Sequence, residues 1–244
     1  MRPDTVQRAL LHARTRQHRR AVEQAEWLIA HAMERHTLAV SFSGGKDSSV
    51  IRLLAQQLQP DVPVVWSDGG LELPETLALM EVVQPAYHVQ SVTWWHRFPA
   101  AGRSPEAVSK AALCRREGWD GYILGLRAEE SRVRAINTAQ RGLLYRVQTG
   151  EYAGAWHCQP IARWSVLDVW AYLLTRGATY NAAYDRMDEL GIPLERQRVG
   201  PPLDERAVAA GSMEVLRVGW PEQYAAWISA IPEGAAAAAV AEEG

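Results

Sequence analysis

The chain has 244 residues, 48% of them hydrophobic, and a formal net charge of −2, so it can bury one generous core and carries no overall charge that would hold it to nucleic acid. No apolar run approaches the roughly 18 residues of a membrane span, and no apolar core follows the first charges, which predicts a cytoplasmic protein without membrane contact. Cys114 and Cys158 form no Cys-x-x-Cys pair, which argues against a zinc knuckle, a chain-held iron–sulfur cluster or a disulfide framework and leaves both as small buried apolar residues.

Apolar positions Leu10, Leu11, Val22, Ala25, Trp27, Leu28, Ile29 and Ala32 predict one or two helices between Val6 and His36. Arg14, Arg16, His18, Arg19 and Arg20 give this segment a basic face, a solvated surface that also offers a contact for nucleic acid. Thr37 to Val40 then reads as a buried strand, and Val50, Ile51, Leu53, Leu54 and Leu58 recur at helical spacing.

Between strand and helix runs Ser41-Phe42-Ser43-Gly44-Gly45-Lys46-Asp47-Ser48-Ser49. Its glycines permit main-chain angles and close approaches closed to other residues, while Asp47, Ser48 and Ser49 suit a first helical turn. Unpaired N–H groups and the positive helix end make such a junction a phosphate cradle. It is not a Walker A loop, which would need Gly at position 40 and Ser or Thr at 47, where Val40 and Asp47 stand.

Pro60-Asp61 breaks the chain, Val62 to Ser67 reads as a second strand ending at Asp68-Gly69-Gly70, and Pro74-Glu75-Thr76 opens a helix. Tyr87 to Thr93 alternates like a third strand, Thr93-Trp94-Trp95-His96 is aromatic packing or a contact surface, Pro105 to Arg116 is a helix, and Tyr122 to Leu126 is a fourth strand. Strands alternating with helices predict a doubly wound parallel sheet. If the order is 3-2-1-4, a crevice opens at the carboxyl ends of strands one and four, walled by Ser43 to Ser48 and by Gly125 to Arg134. In that second wall Arg127 and Arg134 suit phosphate or sulfate oxygens, Glu129 and Arg132 read equally well as surface charge, and Glu130 could orient an arginine or hold magnesium.

Between Leu143 and Gln159, Leu144 to Val147 and Tyr152 to Trp156 flank a turn at Gln148 to Glu151, a hairpin signal. Ser165 to Leu174 comes next as a helix with Ser165 as N-cap and Asp168 three residues on. Past Gly191 the chain is rich in Pro and Arg, and the Ala-rich stretch from Gly234 to Gly244 is expected to fray. The hairpin and the residues C-terminal to it are expected to form a small appendage over the crevice.

In their order and rough spacing, SFSGGKDSSV, VPVVWSDGGLELPET, GLRAEESRVRA, QPIARWSVLDVWAYL and TYNAAYD resemble the phosphoadenosine phosphosulfate (PAPS) reductase family, which includes the ATP sulfurylase small subunit. That family lies within the adenine nucleotide alpha-hydrolase, or PP-loop ATP pyrophosphatase, superfamily. The resemblance implies a Rossmann-like α/β fold with an N-terminal helical segment (1–35), a nucleotide domain (36–186), an appendage (187–233) and a tail (234–244). It implies a nucleotide site of Ser41, Ser43, Gly44, Gly45, Lys46, Asp47, Ser48, Asp68, Gly125, Arg127, Glu130 and Ser131. Within it, Lys46, Asp47, Arg127 and Arg134 would serve catalysis, and Asp47 and Glu130 would hold Mg²⁺. Trp164, Asp168, Trp170, Tyr180, Asn181 and Tyr184 match the family's later signature, with Trp164 and Trp170 expected as core.

The chain departs from the reductases in lacking their Glu-Cys-Gly-x-His-like segment and the paired cysteines of the adenylylsulfate branch, so no iron–sulfur cluster is expected and reduction by this chain alone is not. The resemblance therefore implies ATP cleavage at the α phosphate to activate an acceptor, in sulfate activation or in sulfur transfer that can extend to nucleic acid, with a partner subunit allowed. Its alternatives are a protein that binds PAPS or adenylylsulfate and borrows a thiol from a partner or from Cys158, and a nucleotide-binding regulatory module without turnover.

Overall fold

Leu38–Phe42 (β1) is buried at four of its five positions, as a central strand with both faces covered must be. In the structure, a computed structural model that describes residues 1–68, 72–90, 109–200 and 212–230, β1 lies between two parallel neighbours, Val64–Asp68 (β2) and Gly121–Leu124 (β4). Tyr87–Gln90 (β3) pairs with β2, so the chain steps outward from β1 on one side and then returns to start the other. Leu144–Arg146 (β5) and Trp156–Cys158 (β6) complete a six-stranded sheet of order β3-β2-β1-β4-β6-β5. The expected 3-2-1-4 order holds, and the switch point falls between β1 and β4. Gly69, Gly70, the end of the third strand, Trp94 to His96 and the start of the helix expected from Pro105 lie outside the described residues.

The hairpin is real but displaced. Its strands meet in the register Leu144↔Cys158, Tyr145↔His157 and Arg146↔Trp156, and Tyr152 to Gly154, expected in the second strand, lie in turns. The reason is non-local: β6 pairs in parallel with β4, setting Cys158 opposite the buried Ile123. The hairpin therefore extends the main sheet rather than standing apart as an appendage.

One face of the sheet is covered by Lys46–Leu58 (α3) and Arg16–Met33 (α2), which bring Val50, Ile51, Leu54 and Ala55, and Val22, Ala25, Leu28, Ile29 and Ala32, into one core. Lys110–Arg116 (α5) covers the other face, where Leu113 and Cys114 meet Ala39, Val65 and Tyr122. Leu10, Leu11, Trp27 and Leu58, expected among the apolar stripes, are exposed because they fall on the outer arcs of their helices. His18 is buried, so the basic face of the N-terminal segment consists of the exposed Arg14, Arg16, Arg19 and Arg20 without it.

Val166–Thr175 (α7) is apolar nearly all round and buried, with Trp170 fully inside and Trp164 beside it, as expected for core aromatics. Pro3–Ala13 (α1) packs along it. Pro74–Val83 (α4), Arg132–Arg141 (α6) and Ala183–Glu189 (α8) are further helices of the described chain. Ser212–Gly219 (α9) and Pro221–Ala230 (α10) are tied down by Trp220, whose Nε1 donates to the Glu75 carboxylate at 3.0 Å. No helix among the described residues is long and apolar enough to cross a membrane.

Candidate functional site

The turn from β1 into α3 is made by Gly44, whose φ of 73° is closed to most L-residues. Gly45 is the N-cap with ordinary extended angles (φ −78°, ψ 158°), so the freedom expected of both glycines is needed only at the first. The loop is locked from within. Ser43 N–H donates to Ser48 Oγ at 3.2 Å, and the hydroxyls of Ser48 and Ser49 donate to the Gly45 carbonyl at 2.9 and 3.0 Å. The Lys46 N–H, one of the amides expected to face phosphate, donates to the Tyr184 hydroxyl at 3.0 Å.

Across the switch point the loop after β4 presses against this turn. A Cβ on Gly125 would lie 2.8 Å from the carbonyl carbon of Asp47 and the amide nitrogen of Ser48, so only glycine lets the two walls meet this closely. That contact brings Arg127 into the crevice, where its Nε donates to Asp47 Oδ1. Its Nη1 donates to Glu129 Oε2 at 3.0 Å, and Glu129 also accepts the Val166 N–H at 3.0 Å. Asp47 Oδ2 faces Lys46 Nζ at 3.3 Å, and that ammonium donates to the Gln197 carbonyl at 3.1 Å. Glu130 takes Arg134 and the Arg127 N–H on Oε2 and Arg198 on Oε1, the last at 2.5 Å. Four basic side chains thus face three carboxylates in one cluster.

Burial and charge act against each other here. Desolvation of the buried Lys46 ammonium lowers its pKa, with Asp47 pulling the other way and Arg127 adding to the fall. Arg127 also resists burial, yet Asp47, Glu130 and Glu129 together hold its pKa above the usual value. Burial raises Glu130, but Arg134, the Arg127 amide and Arg198 outweigh it and keep the carboxyl below its ordinary range.

Among the expected site residues, Lys46, Asp47, Arg127, Glu130 and Arg134 are brought together with the glycine turn. Ser131 is the N-cap of α6, its hydroxyl accepting from Arg134 N–H at 3.2 Å. Asp68 ends β2 and bonds His88 Nε2 at 2.9 Å, and His88 stacks on Trp66 at 4.3 Å. Ser41 shares the Ala39 face of β1 and accepts from the half-buried Lys110 Nζ at 3.0 Å, away from the charge cluster. Asn181 donates to Thr76 Oγ1 at 2.8 Å below the loop. Gln197, Arg198 and Lys110 carried no signal beyond their place in polar or periodic stretches, and their roles come from packing.

A mostly parallel sheet whose switch point carries a glycine turn, a helix amino end and this charge cluster defines a Rossmann-like α/β protein. Residues 37–191 match the model of the phosphoadenosine phosphosulfate reductase domain, and the chain belongs to that family. It is 25% identical over 211 residues to the uncharacterized protein MJ0973 of Methanocaldococcus jannaschii, covering 81% of this chain and 48% of that protein. It is 27% identical over 188 residues to the phosphoadenosine 5'-phosphosulfate reductase of Xanthomonas axonopodis pv. citri, covering 68% and 73%. The chain therefore spans about half of MJ0973 and, for MJ0066 of the same archaeon, 34%. The fold is similar to that of Candida glabrata FMN adenylyltransferase in complex with ATP (TM-score 0.53, 14% identity, 74% of this chain and 65% of that one). It is also similar to PAPS reductase from Candida auris (TM-score 0.50, 17% identity, 72% and 87%).

Proposed function

We propose that this chain binds ATP at the β1–α3 turn and cleaves it between the α and β phosphates, transferring the adenylyl group to an acceptor and releasing pyrophosphate. The observation that carries this reading is the meeting of Lys46, Asp47 and Arg127 at the switch point, with basic groups in excess of carboxylates. An acceptor oxygen would attack the α phosphorus as the bond to the β-phosphate oxygen breaks, and that oxygen keeps the electron pair as pyrophosphate leaves. Such a displacement needs alignment and charge neutralisation more than covalent help, and Arg127, with Lys46 and the loop amides, supplies both. An acceptor that is already an anion, such as sulfate, needs no general base.

In this reading the existing partners are stand-ins: the Tyr184 hydroxyl and the Gln197 carbonyl occupy donors that phosphate oxygens would take. Magnesium does not fit at Asp47 and Glu130 as they stand, because each of their oxygens already faces a cation or an N–H. The resemblance to nucleic-acid sulfur-transfer systems leaves the exposed arginines of α2 as a contact for such an acceptor.

Reduction of PAPS with a borrowed thiol is the second reading, favoured by the names of the relatives. Against catalysis by the chain's own thiols, Cys158 is fully buried and desolvation pushes its thiol up to about 12. Cys114 is also raised by burial, its Sγ donating to the Trp119 carbonyl at 3.2 Å.

The test is ATP labelled separately at the α and γ phosphates, with Mg²⁺ and sulfate, against Lys46→Ala and Asp47→Asn. Asn is preferred to Ala because its amide oxygen can still accept from Arg127 Nε, whereas Ala strands that buried donor at a cost of about 1–3 kcal/mol and confuses folding with chemistry. Pyrophosphate with AMP or an adenylylated product, reduced about 100-fold or more in the variants, is expected. Tight binding of PAPS with no product from ATP would transfer the assignment to the second reading.

A further inference from the structure

Three groups outside the crevice converge from three helices. His12 in the last turn of α1, His18 in the first turn of α2 and Asp168 in the first turn of α7 place their nearest ligand atoms all within 4.8 Å of one another. One carboxylate oxygen, Asp168 Oδ1, faces both rings, 2.7 Å from His12 Nε2 and 3.0 Å from His18 Nδ1. The other, Oδ2, accepts the N–H and O–H of Ser165 at 2.9 and 2.7 Å.

Capping α7 requires only Oδ2, so the two histidines are extra to it. Two imidazoles, carried by two different helices and aimed at a single buried oxygen, make a nitrogen, nitrogen, oxygen donor set. Ser165 fixes the carboxylate as an outer-shell partner fixes a metal ligand. Burial pushes the Asp168 carboxyl up, but hydrogen bonds from His18, Ser165 and His12 outweigh it and hold the group below the usual carboxylate range. The side chains of His18 and Asp168 are 5% and 3% exposed, while His12 at 16% marks the side open to water.

We propose that His12, His18 and Asp168 form a binding site for a divalent transition ion of the zinc class, with water as a further ligand. Imidazole and carboxylate suit such ions, whereas an oxygen-only set would suit calcium or magnesium. With bonds of about 2.0–2.1 Å, tetrahedral ligands stand about 3.3 Å apart, so the two nitrogen–oxygen separations of 2.7 and 3.0 Å need to widen by about 0.3–0.6 Å, while the two nitrogens lie within 4.8 Å of each other. The bound ion clamps the α1–α2 corner onto the start of α7. From there Val166 N–H, Glu129 and Arg127 lead by successive bonds to Asp47, so the clamp also steadies one wall of the crevice.

The test uses the whole chain, treated with a chelator, dialysed, and titrated separately with Zn²⁺ and Co²⁺. The expected result is a single equivalent of tight binding, the intense visible bands of tetrahedral cobalt, and a zinc-dependent rise in the thermal midpoint. His12→Gln, at the most exposed of the three positions, should weaken binding about tenfold or more and remove the zinc-dependent rise. His31→Gln, on the other side of α2, should change neither. Weak binding of several equivalents with the pale spectrum of octahedral cobalt, or a midpoint indifferent to zinc, overturns the proposal without recourse to any variant. So does a folded His12→Gln protein, checked by circular dichroism, that binds zinc as the parent does.

Discussion

At Gly125 a methyl group has no room. The 2.8 Å approach to the backbone of Asp47 and Ser48 is below any ordinary Cβ contact, and the atoms it would meet are main chain, which cannot swing aside. Gly125→Ala is therefore expected to cost about 1–3 kcal/mol and to part the walls of the crevice. Thermal denaturation and ATP titration should show both effects, and a variant with unchanged midpoint and affinity would refute the contact. The sequence places Gly125 at the start of the second wall of the crevice and the resemblance puts it in the nucleotide site, but neither reveals the contact that excludes a side chain there. Gly44 is the opposite case: its left-handed backbone belongs to the local turn and was legible from the glycine pair. The same division runs through the charged residues. Arg127 and Asp47 were each readable as site residues, but their pairing across 80 residues depends on β4 lying beside β1.

Among the elements, α7 was legible to its cap, since Ser165 and Asp168 form a capping box within four residues of chain. The β5–β6 hairpin was not, because the partner that sets its register, β4, lies outside it. Its strand β6 carries His157, where burial, reinforced by the charges of Lys110 and Arg141, lowers the imidazole pKa to about 4. Its Nε2 has no hydrogen-bond partner among the described residues. The unfolded chain, with a histidine pKa near 6.5, then binds the proton before the folded one does. Stability therefore falls as pH drops from about 6.5 toward 4, by up to about 3 kcal/mol. Urea midpoints measured across that range should decline in the parent and decline less in His157→Gln. Parallel pH profiles for the two proteins would rule out His157 as the cause.

Over the whole molecule, the N-terminal helices are bonded into the body rather than resting on it. Asp188 on α8 is 1% exposed and accepts from the Arg2 N–H at 2.5 Å and the Thr5 hydroxyl at 3.0 Å. Asp188→Ala strands these donors, with an expected cost of about 1–3 kcal/mol. Limited proteolysis followed by mass spectrometry should then find cleavage in α1 before any in the sheet. Cleavage no faster than in the parent would show that apolar packing on α7 holds α1 by itself. The sequence by itself determined the alternation of strands and helices, the glycine turn into α3 and the cap of α7. These are written in periodicity and backbone chemistry over a few residues. Only the tertiary structure decided that Lys46 meets Gln197, that Tyr184 sits beneath the loop, that the hairpin edges the main sheet and that His12 and His18 share Asp168. Those neighbours are set by how distant elements pack, and no local period in the chain encodes them.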